Sequence, residues 1–359
     1  MADGATVAIL SVATGSGLAN AEAGIETGFQ VQAKDIKGNL RTVGTDSVVA
    51  VLRHRDMDVT LSTTGVYDTR GLYRFRYTAT VAGAYDIDVT INGAHVEASP
   101  FTLDVRPTVP FGPLFHAVGT ADASTNASSS FVVTSKDRFN NTLRGGGNRL
   151  VARLTGPGVV SADPAIYRAT VADHSDGTYT ASYYAPRSGD YSIDVRFADG
   201  NETGLLGEYF PNQWMLDVPA HVRVDAVIDF TWPRDANLVT DGWGTIYNSV
   251  RWTGFVEVPV SEYVTFHVDA DDGARLIVER ERLVDGLDGP PGSRSGQLSF
   301  QAQAGLLYEV TLEYRQLTSQ AKVRLQWESP SMPLEVVPTR YLFPRGIPIR
   351  DSPFAMVAV

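Results

Sequence analysis

Gly83-Ala-Tyr85-Asp-Ile-Asp-Val89 and Gly189-Asp-Tyr191-Ser-Ile-Asp-Val195 are two copies of one pattern, 106 residues apart. In the first, Tyr85, Ile87, Val89 and Ile91 share one side of an extended chain, and Asp86, Asp88 and Thr90 share the other. Successive side chains of a strand point to opposite faces, so the pattern describes a strand with one face in a core and one in water. Working outward, Gly71-Leu-Tyr73 and Gly177-Thr-Tyr179 keep the offset of 106. Phe29-Gln-Val-Gln-Ala-Lys-Asp35 and Phe131-Val-Val-Thr-Ser-Lys-Asp137 are offset by 102, so one loop differs in length between the copies. Both run into a turn with asparagine, Lys37-Gly-Asn39 and Arg138-Phe-Asn140. Tyr73, Phe75 and Tyr77 alternate with Arg74 and Arg76 in the same manner. Helical spacing of apolar residues is nowhere sustained. About seven short strands per 100 residues, separated by Gly and Pro turns, predict antiparallel sandwiches.

The first copy closes with the hairpin dipeptide Asn92-Gly93 and then Ser99-Pro100-Phe101-Thr-Leu-Asp-Val105. A spacing of 106 places a second Ser-Pro-Phe near position 205, but it stands at Ser352-Pro353-Phe354, an offset of 253. A long segment is therefore inserted in the last hairpin of the second copy, where an exposed tip tolerates a guest whose ends lie close together. Residues 349–359 are expected to pair across the guest with residues 190–197.

Asp176-Gly-Thr-Tyr179, the Gly-x-Tyr at 83 and 189, and the closing Ser-Pro-Phe resemble filamin-type immunoglobulin repeats. The first copy departs from the pattern with Thr69-Arg-Gly-Leu-Tyr73. The resemblance implies a mechanical or scaffolding role, with partner peptides added to strand edges. The strands near 48–53 and 150–154 are the candidate edges.

Residues 204–345 hold all five tryptophans, Trp214, Trp232, Trp243, Trp252 and Trp327, and continue the alternation in Tyr263-Val-Thr-Phe-His-Val268. An ordered series of motifs runs through them: Gly204-Leu-Leu-Gly-Glu-Tyr-Phe-Pro-Asn212, Arg223-Val-Asp225, Ile228-Asp-Phe-Thr-Trp232, Ser249-Val-Arg-Trp-Thr-Gly254, Tyr263-Val-Thr-Phe266, Asp271-Asp272-Gly273-Ala-Arg-Leu276 and Val323-Arg-Leu-Gln-Trp327. The series resembles the anthrax protective-antigen type domain, a lectin-like β-module of toxins, glycosidases and yeast adhesins. The resemblance implies that Asp271 and Asp272 hold a calcium ion that ligates sugar hydroxyls. The chemistry is sound: calcium takes several hard oxygens, and adjacent carboxylates repel unless a cation or hydrogen bonds offset their charge. Asp269, on the same strand face as Asp271, is the third candidate metal ligand. Candidate ligand-binding residues are Gln316, Ser319 and Gln320 in one loop and Asp285 and Asp288 in another. In the alternative, Arg275 caps the acidic pair and no metal is held.

A net charge of −11 argues against a sequence-independent grip on nucleic acid, which needs a basic surface. Cysteine is absent, which excludes disulfides and thiolate chemistry. No apolar stretch approaches the roughly 18 residues that span a membrane. Met1–Asn20 lacks a basic start and an apolar core, so no signal peptide is read there, and the chain reads as a piece of a longer protein. The sequons at Asn126, Asn140 and Asn201 are glycosylation candidates that point outside the cell. The six histidines are scattered, and no nucleophile elbow or phosphate loop occurs, so no catalytic residue is assigned.

The expected fold is all-β. It has a filamin/Ig-like repeat at 1–106, a second split between 107–202 and 346–359, and a protective-antigen-like β-barrel or jelly roll at 203–345. The expected function is a non-catalytic adhesion module, extracellular or on the cell surface, whose guest recognises a glycan or glycoprotein with Ca2+ as cofactor. The alternatives are a cytoskeletal, cytoplasmic or ciliary scaffold that binds no sugar, and a non-catalytic part of a larger carbohydrate-active enzyme.

Overall fold

The computed structural model describes residues 4–119, 122–157, 165–198, 203–232, 248–317, 321–344 and 346–359. Helical structure among them is confined to the single 3₁₀ turns Ala8–Leu10, Ser16–Leu18, Gly112–Leu114 and Thr339–Tyr341. The rest of the regular structure is strand.

The first repeat is a sandwich. One sheet orders Val12–Thr14, Thr27–Gln32, Leu72–Tyr77 and Val66–Tyr67; the other orders Asn20–Glu22, Phe101–Arg106, Gly83–Ile91, Val48–His54 and Thr60–Thr64. Tyr85, Ile87, Val89 and Ile91 are buried, and their core is filled from the facing sheet by Phe29, Tyr73 and Phe75. Phe29 and Phe75 stack with ring centroids 4.5 Å apart.

The second repeat has the same sheet order, with one exchange. The place that Phe101–Arg106 holds in the first repeat is taken by Phe354–Ala358, which lies between Asp122–Ala123 and Gly189–Ala198. Gly189 faces Ala358 and Ile193 faces Phe354 across this ladder, while Ile347 faces Phe197. Ser99 Oγ accepts the Val89 N–H at 2.9 Å, and Ser352 Oγ accepts the Val195 N–H at 2.8 Å. Both Ser-Pro bonds are cis. The Ser-Pro-Phe motif is thus the entry to the closing strand in both repeats, and the guest separates it from its neighbours in one of them.

The Lys-Asp motif is a turn cap. Asp35 Oδ1 accepts the N–H groups of Lys37 and Asn39, each at 2.9 Å, and Asp137 Oδ1 those of Phe139 and Asn141, each at 2.9 Å. A carboxylate that bonds its own backbone two and four residues on fixes the loop without sheet or helix. The counterpart of Asn39 is therefore Asn141, not Asn140. Asn141 also bonds Thr80 and Ala82 of the first repeat. That turn accordingly belongs to the first of two compact units, Met1–Ala117, Val132–Gly147 and Asp173–Tyr179; the second is Val118–Phe131, Asn148–Ala172 and Thr180–Val359.

Neither candidate edge is an edge. Val48–His54 lies between Thr60–Thr64 and Gly83–Ile91, and Arg149–Gly156 lies between Ala165–Arg168 and Gly189–Ala198. The covering strands are short, and in Thr60–Thr64 only Leu61 is apolar and packs on the core, so the segment gives no alternating signal.

The guest packs two sheets face to face. One orders His221–Asp225, Leu205–Phe210, Asn248–Glu257, Leu307–Gln316, Gly273–Val278 and Glu281–Gly286; the other orders Asp229–Trp232, Ala321–Glu328, Thr265–Asp271 and Gly292–Gln297. Trp252, Trp327, Tyr308 and Tyr314 fill the space between them.

Within the second unit, the outer face of the guest's larger sheet docks on Arg149–Gly156. Val151 and Ala198 meet Phe255, Leu307 and Phe343 in one apolar cluster. Around it Arg149 pairs with Glu257 at 3.0 Å, and Arg153 with Glu279 at 2.9 Å and Glu309 at 2.5 Å. Arg168 shares Glu279 at 2.5 Å, and its guanidinium lies 3.9 Å from the Tyr308 ring centroid. Removing one partner of a buried ion pair leaves uncompensated charge. Glu279→Ala, which takes the carboxylate from Arg168 and leaves Arg153 with Glu309 alone, should cost about 3 kcal/mol in urea denaturation. A loss below about 0.5 kcal/mol would show that the contact carries no stability.

Candidate functional site

The acidic pair sits where the chain leaves one guest sheet for the other. Asp271 ends the strand Thr265–Asp271, and Gly273 opens the strand Gly273–Val278. The Asp271–Asp272 peptide is cis. A Cβ on Gly273 would stand 2.0 Å from the carbonyl oxygen of Leu287, so only glycine fits the crossing.

Each group has a placed neighbour. The Tyr314 hydroxyl lies within hydrogen-bonding reach of the Asp271 carbonyl and of Gln316 Oε1. The Leu317 N–H donates to Asp272 Oδ2 at 2.6 Å. Burial first, and the neighbouring Asp272 charge second, hold the Asp271 carboxyl above the usual carboxylate range; Lys322 opposes them. The Tyr314 hydroxyl is pushed far upward by burial, so it is a neutral donor at this crossing.

The other candidates divide. Gln316 is buried beside the pair. Asp269 forms an ion pair with Lys322 at 2.5 Å. Asp285 is bound by Arg275 at 3.0 Å and Arg282 at 2.9 Å on the outer face of the larger sheet. Asp288 pairs with Arg315 at 2.5 Å. Arg275 divides between Asp285 and Glu313, the latter at 3.3 Å. Strand parity explains this: Ala274 and Leu276 point into the core, so Arg275 points out. His267, on the strand face of Asp269 and Asp271, bonds Glu328 at 2.9 Å. Ser319, Gln320 and Trp243 lie outside the described residues, as does Asn201. Asn126 and Asn140 are exposed, and Asn126 Oδ1 accepts the Tyr184 hydroxyl at 2.9 Å. Among the described residues no three His, Asp or Glu side chains gather as a metal-binding group. A hard cation at this crossing would therefore draw on the Asp271 and Asp272 carboxylates with amide and main-chain oxygens, a donor set of the oxygen type that calcium takes.

Tyr314 and the Leu317 N–H were not legible as parts of the site. The signal for Tyr314 lay in the alternation of Leu307–Gln316, which turns it inward toward the crossing.

A second constellation in the guest is structural. Asp225, 6% exposed, accepts from the Tyr209 hydroxyl at 2.6 Å, Trp252 Nε1 at 2.7 Å and Arg223 Nε at 2.7 Å. It explains why the Gly-Glu-Tyr-Phe, Arg-Val-Asp and Arg-Trp motifs occur together: they are the three sides of one buried network.

Two family models match the chain. The Filamin/ABP280 repeat matches residues 5–102 and 111–204, more than half of the chain, and the PA14 domain matches residues 201–340. Anti-sigma-I factor RsgI3 of Acetivibrio thermocellus is 35% identical over 153 residues, which is 42% of this chain and 23% of that protein. Filamin-C of Mus musculus is 28% identical over 139 residues, 37% of this chain and 4% of its own length. The chain thus spans less than a quarter of the curated relatives it matches. Among solved structures, an anti-sigma factor domain-containing protein from Clostridium clariflavum covers 84% of this chain and 100% of its own at 18% identity and a TM-score of 0.37. A PA14 sugar-binding domain from an RTX adhesin covers 40% of this chain and 99% of its own at 18% identity and a TM-score of 0.33. The matched family models are those of binding modules, and with two copies of the sandwich repeat, the second interrupted by a PA14 domain, the chain belongs to the filamin repeat family.

Proposed function

We propose that the chain is a non-catalytic adhesion module whose PA14 domain recognises glycan through a calcium ion held by Asp271 and Asp272, with the filamin repeats as its spacer. The observation that carries this reading is the acidic crossing. Two consecutive aspartates stand at the turn between the guest's two sheets, Asp272 held by the Leu317 N–H, and burial together with the Asp272 charge holds the Asp271 carboxyl above the usual range. A divalent ion relieves that repulsion, and its remaining coordination positions accept vicinal sugar hydroxyls. The arginine that would have capped the pair is bound to Asp285 and Glu313 instead. A glycan ligand places the module outside the cell or on its surface. The similarity to an anti-sigma factor supports a second reading at the level of a longer protein, in which glycan capture is the input to a regulator.

Calcium titration calorimetry on the wild type should give one site with a dissociation constant of about 10⁻⁵–10⁻³ M. Asp271→Asn and Asp272→Asn should each weaken it at least about tenfold, as expected for loss of a charged ligand. On a glycan array, binding in calcium should vanish in a chelator. An array with no signal in calcium, or one unchanged by chelation, rejects the reading.

A further inference from the structure

Trp214 stands apart from the other described tryptophans. Trp252 and Trp327 are buried in the guest core and Trp232 stacks on Phe230 and Tyr314, whereas Trp214 is 59% exposed. Leu216 and Val218 of the same segment are exposed too, so the indole belongs to a contiguous apolar run at the surface, the kind of patch that marks a binding site. The loop that presents it is held firmly. Asn212 Oδ1 accepts the N–H groups of Trp214 at 2.9 Å and Leu216 at 3.2 Å, and Asn212 Nδ2 donates to the Leu216 carbonyl at 2.9 Å. Ser249 Oγ accepts the Met215 N–H at 3.2 Å and donates to the Asn212 carbonyl at 2.6 Å. The indole is therefore presented with its ordering cost already met by the fold, the condition that makes an aromatic a binding platform.

What lies beneath the indole is unusual too. The Arg315 guanidinium sits 5.4 Å from its ring centroid. Arg315 is 6% exposed, binds Asp288, and carries a buried Nε with no acceptor among the described residues. Asp288 itself is 78% exposed at the side chain. A pyranose ring has one face of C–H bonds and a rim of hydroxyls. The indole suits the first, and the exposed Asp288 carboxylate on the same Arg315 guanidinium suits the second.

The platform is also correctly placed. In the sheet, Arg315 is the direct partner of Gly273 on one side and of Ser249 on the other. Gly273 follows Asp272, and Ser249 anchors the Trp214 loop. The acidic crossing and the anchor of the Trp214 loop thus flank the same residue, Arg315, on neighbouring strands, so the indole and the aspartates are distinct elements grouped at one part of the guest.

We propose that Trp214 is the stacking platform of a second sugar subsite, so that the guest recognises an oligosaccharide rather than a single terminal sugar. This rests on the glycan reading above. The test prints wild type, Trp214→Ala and Trp214→Phe against an array of mono- and oligosaccharides in calcium buffer, and titrates each protein with calcium alone. Trp214→Ala should keep its calcium affinity within about twofold, lose oligosaccharide binding about tenfold or more, and leave monosaccharide binding unchanged. Trp214→Phe should retain most of the oligosaccharide signal. Matched thermal melts confirm folding, and bound oligosaccharide should shield wild-type tryptophan emission from acrylamide. Oligosaccharide binding by Trp214→Ala equal to that of wild type overturns the subsite while leaving the cation site standing, as does calcium binding with no saccharide bound. Sugar binding that needs Trp214 but ignores calcium upholds the subsite and rejects the cation reading.

Discussion

Truncation before residue 349 should unfold the second repeat while the guest barrel stays folded. The strand Phe354–Ala358 buries Met356 and Ala358 against the second repeat and covers the Gly189–Ala198 ladder from Gly189 to Ile193. Cutting Met356 back to alanine alone is worth about 2–5 kcal/mol. Losing the whole strand also strips the backbone partners from the middle of a sheet, where every polar group must be paired. A domain stabilised by about 5–15 kcal/mol does not survive both. The guest has its own core around Trp252 and Trp327, and its strands pair among themselves. Limited proteolysis followed by mass spectrometry should therefore recover residues of the guest and lose those of 128–198. Equal resistance in the truncated and full chains would mean that the closing strand is dispensable.

Asp225→Ala should destabilise the guest by about 3–5 kcal/mol, the range for breaking a buried charged network. Alanine leaves the Tyr209 hydroxyl and the Trp252 N–H without their acceptor and takes one of two bonds from Arg223, which keeps the Tyr209 oxygen at 2.7 Å. Each buried donor left without a partner costs about 1–3 kcal/mol. Tyr209 gives no relief by ionising, because burial, with the Asp225 charge next, pushes its hydroxyl well upward. Asp225→Asn, which keeps an acceptor but loses the charge, should fall between alanine and wild type. Urea denaturation monitored by tryptophan emission reads all three, and a loss under about 1 kcal/mol for alanine would reduce the network to ordinary surface pairing.

The architecture was legible because the signals that reveal strands are the ones that build cores. Tyr85, Ile87 and Val89 alternate because one face is buried, and Ser-Pro-Phe recurs because both closing strands begin the same way. What escaped was structure without an apolar face. Thr60–Thr64 carries one apolar residue, Leu61, too few to show a period, so the strand it covers looked like an edge. Arg149, Val151 and Arg153 read as one side of an ordinary strand, and nothing local in the sequence marks that side as the seat of the guest. Asp271 and Asp272 could be located from the sequence, but their surroundings could not. Whether Arg275 reached the pair depended on which way one residue of the next strand points, and Trp214 owes its place to a loop whose hydrogen bonds come from Asn212 and Ser249.

Calcium-containing crystals of the whole chain, measured near the calcium absorption edge, bear most directly on the acidic crossing. An anomalous peak bound by the Asp271 and Asp272 carboxylates at about 2.3–2.6 Å is the predicted result. A crossing without a peak at saturating calcium, its two carboxylates engaged by protein donors alone, would contradict the account.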